Sequence, residues 1–259
     1  MHLLQSVVML IDWCDRLHFE RRRDAAITRE DLTQPLPADD LIVRAARAIQ
    51  AETGCRHGAH IGIEKHIPSQ AGLGGGSSDA ASCLLALNRL WGLGLPLSAL
   101  ERIGLTLGAD VPFFLRGRNA WVEGVGERIT PIDLPRSRFA VLKPSEGLPT
   151  AAIFGSPMLK RNCDTATIAG FAANPWGFGR NELQPVAAAQ CTGVAQALGA
   201  FEAIGLQGRL TGSGSAVFAR LPQGGCSTKS LSELPTGWHY RDCGNLQAHP
   251  LLGWAADEN

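Results

Sequence analysis

The sequence predicts a mixed α/β (α+β) protein of one or two domains, and three observations carry that expectation. Short aliphatic runs of strand character alternate with helical stretches along the 259 residues. One such run leads through a glycine-rich turn directly into a helix. A second half then brings a long helical stretch, followed by strand-like runs around another glycine turn. With 45% hydrophobic and 19% charged residues, the composition is that of an ordinary soluble globular chain.

The elements follow in order. LLQSVVMLIDW and DRLHFE read as two strands, with Asp12 to Asp15 as a hairpin region, and a loop with Pro35 and Pro37 comes next. Asp39 or Asp40 caps a helix, LIVRAARAIQAE, in which Leu41, Ala45, Ala48 and Ile49 share a face and which Gly54 ends. AHIGIEKHI alternates as a strand. SSDAASCLLALNRLWG, dense in Ala, Ser and Leu, reads as a helix buried around most of its circumference. Ser98 and Glu101 have the spacing of a capping box and start SALERIGLTL, which Gly108 stops. NAWVEGVGERITPI and RFAVLKP read as strands, and Glu146 to Arg180 as loops and short helices. NELQPVAAAQCTGVAQALGAF is one long helix with Pro185 near its first turn, and GRLTGSGSAVFARL and WHYRDCG complete the chain as strands.

The stretch PSQAGLGGGSSDAA, Pro68 to Ala81, points to chemistry. Glycine removes the Cβ that holds other groups off the backbone, and the first turn of a helix offers unpaired N–H groups and a partial positive charge. Together these suit an anion, most often phosphate. Two familiar phosphate loops do not fit, because no GK precedes the serines and Ser77 stands where the dinucleotide fingerprint needs a third glycine. A flexible surface turn is the alternative. The second glycine turn, Thr211 to Gly214 between two apolar runs, reads equally as a tight hairpin. Asp110, taken alone, reads as a polar turn residue after a helix stop.

Charge and cysteines narrow the partners. Lys and Arg total 24 and Asp and Glu total 24, so the chain lacks the basic excess of a general nucleic-acid or membrane-surface binder. A small-molecule partner is expected, with the protein a monomer or weak homodimer. Arg21 to Arg23, flanked by Glu20 and Asp24, read as a solvated turn or strand end. Seven scattered cysteines without a CxxC pair suit reduced thiols. No apolar run reaches the roughly 20 residues of a membrane span, and the start lacks the order of a signal peptide, so a cytoplasmic location is expected.

Three stretches in order, PSQAGLGGGSSDAA, LTLGADVPFFLRG and RLTGSGSAVFA, resemble the GHMP small-molecule kinases. DDLIVRAARAI and AWVEGVGERITPI resemble the branch acting on a cytidine diphosphate-linked methylerythritol, and the similarity runs from residue 1 to about residue 245. The resemblance implies a two-domain GHMP kinase fold. Residues 1–136 would form a ribosomal protein S5 domain 2-like N-terminal domain and 137–259 a ferredoxin-like C-terminal domain, with ATP and substrate in the cleft between them. It implies that Pro68, Gly72, Leu73, Gly74, Gly75, Gly76, Ser77 and Ser78 wrap the phosphates of ATP, with a serine hydroxyl reaching the phosphates or a Mg2+ ion. Asp110 takes the role of base, accepting the proton of the attacking hydroxyl.

Other implied positions are Lys65 and Asp40 near the nucleotide, with an ordinary helix cap equally open for Asp40. His2 and Phe154 would hold the cytosine, and Thr211, Gly212 and Ser213 would border the substrate. The family also has an opening strand with a PAK segment and a catalytic lysine, which these 259 residues do not contain. The expectations are a start site placed too far downstream or a truncated gene, sheet neighbours left with unpaired backbone groups, and feeble activity for the chain as written. The rival readings are a non-catalytic ATP-binding relative and a GHMP-fold diphosphomevalonate decarboxylase.

Overall fold

The computed structural model describes residues 4–223 and 234–256. The first half opens with β1 (Leu4–Val8), β2 (Arg16–Arg22), β3 (Ile27–Asp31), α1 (Leu41–Thr53) and β4 (Gly58–Glu64). β1 and β2 are not a hairpin. β2 runs antiparallel to β4, with Leu17 opposite Ile63 and Phe19 opposite Ile61. The linker between β1 and β2 is tied down by its two aspartates. Asp12 Oδ1 accepts from Gly244 N at 2.9 Å, and Asp15 Oδ1 accepts from His66 N at 2.6 Å and Ile67 N at 2.8 Å. β3 lies where a loop is expected from sequence. Its ITRED segment is mostly polar, and parallel pairing with β4 makes it a strand.

α1 begins as its sequence suggests. Asp40 Oδ1 accepts from Val43 N at 3.0 Å, Gly54 takes the left-handed conformation at φ 63°, and Ile42, Ala45 and Ile49 are buried. The helices α2 (Gly75–Leu90), α3 (Leu97–Leu107) and α4 (Val111–Arg116) follow. α3 starts one residue before the expected cap, with Pro96 in the cap position, while Glu101 turns away to bind Arg116 Nε at 2.5 Å. α4 is too short, and too interrupted by Pro112, to show a helical period. These helices and the β2–β4–β3 sheet enclose the first core around Ile42, Ile49, Ile61, Ile63, Leu84 and Leu87. The strand-like NAWVEGVGERITPI stretch is a hairpin of β5 (Ala120–Gly124) and β6 (Arg128–Pro131), Val122 opposite Ile129, and β5 also pairs with β1. β1 and β2 are therefore each the end strand of a three-stranded sheet.

The second half contains β7 (Arg138–Lys143), α5 (Thr150–Gly155), α6 (Ile168–Ala173), α7 (Gln184–Gln190), α8 (Thr192–Ala203), β8 (Arg209–Leu210), β9 (Val217–Arg220) and β10 (His239–Gly244). The expected single long helix is two, broken at Cys191, whose backbone is extended. Gly193 lies against the chain after β7, where a Cβ would come within 2.6 Å of Pro144 Cβ, so the break lets α8 approach that loop. The strands form an antiparallel sheet in the order β10–β7–β9–β8. α7 and α8 pack on it through Val186, Val194, Ala197 and Phe201. After β10 the chain returns to the first half, where Leu251, Trp254 and Ala255 join the first core.

Candidate active site

The glycine loop between β4 and α2 is shaped by protein packed against its back. Gly72 (φ 70°) and Gly74 (φ 68°) are left-handed, a conformation that costs side-chain-bearing residues dearly. A Cβ on Gly72 would stand 2.4 Å from Thr211 O, and one on Gly74 would stand 2.8 Å from the Phe114 ring. At Gly75 it would meet Ile67 Cγ2 at 2.9 Å and Lys65 Nζ at 3.2 Å. Gly76 is exposed, with Leu41 of α1 near it, and the helix begins with Ser78 N donating to Gly74 O at 2.9 Å. The glycines thus answer two demands, the close packing seen here and the bare N–H groups at the head of α2 that an anion needs.

Lys65 lies beneath this loop rather than on its open face. It is buried, and its ammonium binds the carboxylates of Asp15 and of Asp79, the latter at 2.6 Å. The paired acids hold the lysine charged, above its ordinary range, against the cost of burial. Burial pushes the Asp79 carboxyl up to about 7, against the pull of Lys65. Asp40 is the cap of α1 and pairs with Arg29 Nη1 at 2.8 Å. It belongs to the helix start beside the loop and is not on the cleft wall.

One long cleft runs between the two halves. Gly72, Leu73, Gly74 and Ser78 stand on its first wall, and Phe154 and residues 211–214 stand on its second. Asp110 is on the first wall, exposed to the cleft, at the turn between α3 and α4. Crowding by protein raises its carboxyl above the ordinary aspartate range. The turn abuts the loop: a Cβ on Gly108 would lie 3.9 Å from Ser77 Oγ, and Phe114 of α4 touches Gly74. A carboxylate and a nucleotide-type glycine loop therefore share one wall.

Across the cleft the second glycine turn is clasped to the first. Thr211 Oγ1 donates to Gly72 O at 3.0 Å, Ser215 N to Gln70 O at 3.3 Å and Ala216 N to Ala71 O at 3.0 Å. Ser213 and Thr150 share a hydroxyl–hydroxyl hydrogen bond of 2.8 Å, which ties the turn to α5 and so to Phe154. The turn thus joins the two β-strand runs as a hairpin and lies on the cleft as well. Pro68 and Lys65 adjoin the loop, and Gly75, Gly76 and Ser77 carry it into α2; none of the five stands on the cleft wall. His2 lies outside the described residues. Sequence reading missed Asp15, Asp79 and Asn181. Asp15 sat in an expected hairpin and Asp79 on a small-residue helix face, while Asn181 could have been found as a cap-type residue ahead of Pro185.

The family profile for the GHMP kinases N terminal domain matches residues 40–118, and that for the GHMP kinases C terminal matches residues 165–224. The chain belongs to the GHMP kinases. It is 63% identical over 262 residues to the 4-diphosphocytidyl-2-C-methyl-D-erythritol kinase of Paracidovorax citrulli, covering 100% of this chain and 90% of that protein. The kinase of the same name from Verminephrobacter eiseniae is 62% identical, with 100% and 91% covered. A crystal structure of 4-(cytidine 5'-diphospho)-2C-methyl-D-erythritol kinase superposes with a TM-score of 0.79 at 31% identity over 94% of this chain and 90% of that one. Within the GHMP kinases, the chain belongs with these 4-diphosphocytidyl-2-C-methyl-D-erythritol kinases. The Methanococcus jannaschii mevalonate kinase shares the fold, with a TM-score of 0.70 at 13% identity over 93% of this chain and 92% of that one.

Proposed function

We propose that this chain transfers the γ-phosphoryl group of ATP to the 2-hydroxyl of 4-diphosphocytidyl-2-C-methyl-D-erythritol, a step of the non-mevalonate route to isoprenoid precursors. The observation that carries the reading is the placement of Asp110 on the same cleft wall as the glycine loop. Phosphoryl transfer asks the protein to position its reactants and to neutralise charge more than to form bonds with them. The loop's N–H groups receive the phosphates at the head of α2. Asp110, drawn up by its crowded surroundings, accepts the hydroxyl proton and orients the oxygen for in-line attack.

Magnesium fits such a site without a dedicated cage. Mg2+ is commonly held through substrate phosphates with one or two protein oxygens, and among the described residues no group of three metal-ligating side chains stands together. The hydroxyl of Ser78, on the cleft wall, or of Ser77 beside it is the group that would reach the phosphates or the ion, which neutralises phosphate charge when bound. Phe154, Thr211, Gly212 and Ser213, with His2, form the substrate side of the proposal. We place the domain boundary at residues 136 and 137.

Six described cysteines are free and no described helix is long and apolar enough to cross a membrane, and the cytoplasm is the location we propose. The diphosphomevalonate decarboxylase reading gains nothing from the relatives. The test is ADP release with ATP and one acceptor at a time: 4-diphosphocytidyl-2-C-methyl-D-erythritol, mevalonate or diphosphomevalonate. Release dependent on the cytidine compound alone is expected. Release with a mevalonate compound instead would overturn the assignment.

A further inference from the structure

The nucleotide loop is held from across the cleft, and the group that sets the holding turn is an amide. Asn181 lies just ahead of α7. Its Nδ2 donates to Leu210 O at 2.9 Å and to Gly212 O at 2.7 Å, using both hydrogens, while its Oδ1 accepts from Leu183 N at 3.0 Å. Three partners of fixed polarity, two carbonyls and one N–H, settle which way the amide faces. The carbonyls it grips flank Thr211, whose hydroxyl donates to Gly72 O at 3.0 Å. The Gly72 backbone lies so close to this turn that a Cβ would be 2.4 Å from Thr211 O and 3.0 Å from Gly214 N. Any shift of the turn is therefore passed to Gly72 by contact as well as by hydrogen bond.

We propose that Asn181 is a positioning residue for phosphoryl transfer, fixing the Leu210–Gly212 turn so that Thr211 holds Gly72 and the nucleotide loop in binding shape. The inference rests on the reading that residues 72–78 receive the phosphates of ATP. An amide suits this post where its charged isostere does not. A carboxylate at residue 181 would lose both donors and set negative charge against two carbonyl oxygens. The effect belongs to the nucleotide, because the turn touches the first glycine loop directly.

The test measures the ATP dissociation constant by calorimetry, which needs no turnover, for the wild type, Asn181→Ala, Thr211→Val and the double variant, with melting temperature in parallel. Amide exchange of residues 70–78 with and without ATP is followed in the wild type. Asn181→Ala is expected to weaken ATP about tenfold, the order expected from losing one or two neutral hydrogen bonds. Thr211→Val should act in the same direction. The double variant should be no weaker than the worse single one, since both act through one contact.

ATP affinity within twofold of wild type in Asn181→Ala, with or without a lower melting temperature, overturns the proposal and leaves a structural role alone. Additive losses in the double variant overturn it too, by separating Asn181 from Thr211. If Asn181→Ala does not fold, Asn181→Gln and Thr211→Val carry the same comparison, and unchanged ATP affinity in both is the contradicting result. A wild type whose loop amides gain no protection from ATP would sink the loop reading itself. Protection in the wild type with unchanged affinity in the variants sinks this inference alone.

Discussion

Asp79, a buried acid near the start of α2, shows how a side chain packed behind the loop shapes the site. Its carboxyl, with that of Asp15, encloses Lys65 below the glycine loop, so two acids share one buried cation. A carboxyl driven up to about 7 by burial holds its proton in the folded state over pH values at which the unfolded chain, near 3.8, has released it. The native state then binds more protons than the unfolded one, so stability falls as the pH rises from about 4 through 7. Asp79→Asn keeps a side chain that can accept from Lys65 and removes the titration. Urea unfolding at pH 5 and pH 8 should show the wild type losing stability between them and the Asn variant losing clearly less; equal losses would exclude Asp79 as the source. Gly74 and Gly75 exclude side chains because Phe114 and Ile67 already fill that space, so bulk there disturbs packing as well as nucleotide binding.

At the scale of elements, what could be read from sequence was what is encoded locally. α1, with its Asp40 cap and Gly54 stop, and α2 behind its glycines carry their boundaries in their own residues. β3 does not. ITRED has little strand character, and its pairing with β4 is a tertiary choice. The joint between α7 and α8 was hidden for a similar reason: the helical pattern continues through Cys191, and the break answers a loop some 50 residues earlier in the chain, whose Pro144 presses on Gly193. Pairing also explains the missed separation of β1 from β2, since Asp12 and Asp15 bind β10 and the residues after β4 instead of turning the chain back. Among the described residues the outer edges of β1 and β2 have no ladder partner, and both strands line the cleft. Hydrogen exchange should follow this order. Amides of β4, paired on both sides, should exchange markedly slower than those of β1 and β2. Equal protection across the three strands would show that those edges are covered in solution.

Across the whole molecule, three sheets and their helices border one cleft, and the candidate groups divide between its walls. The candidate site was legible where it lies in continuous motifs: the glycine loop, Asp110 and the 211–213 turn. It was not legible where it depends on partners distant in sequence, as with Lys65, which sequence placed near the nucleotide and the fold places in a buried triad with Asp15 and Asp79. The carboxylate on the loop's wall, Asp110, is the proposed base for phosphoryl transfer from ATP. Its role is read from acceptor-dependent ADP release with 4-diphosphocytidyl-2-C-methyl-D-erythritol for the wild type and Asp110→Asn, with ATP affinity measured alongside. A positioned general base contributes roughly 10²- to 10⁴-fold, so the Asn variant should lose turnover by that order while binding ATP nearly as the wild type does. The rate's acidic limb in the wild type should lie above the ordinary aspartate range, since crowding raises Asp110 and the base works only when ionised. Turnover in Asp110→Asn within a few-fold of wild type would remove Asp110 as the base, and ADP release that does not rise when the acceptor is added would remove the phosphoryl transfer itself.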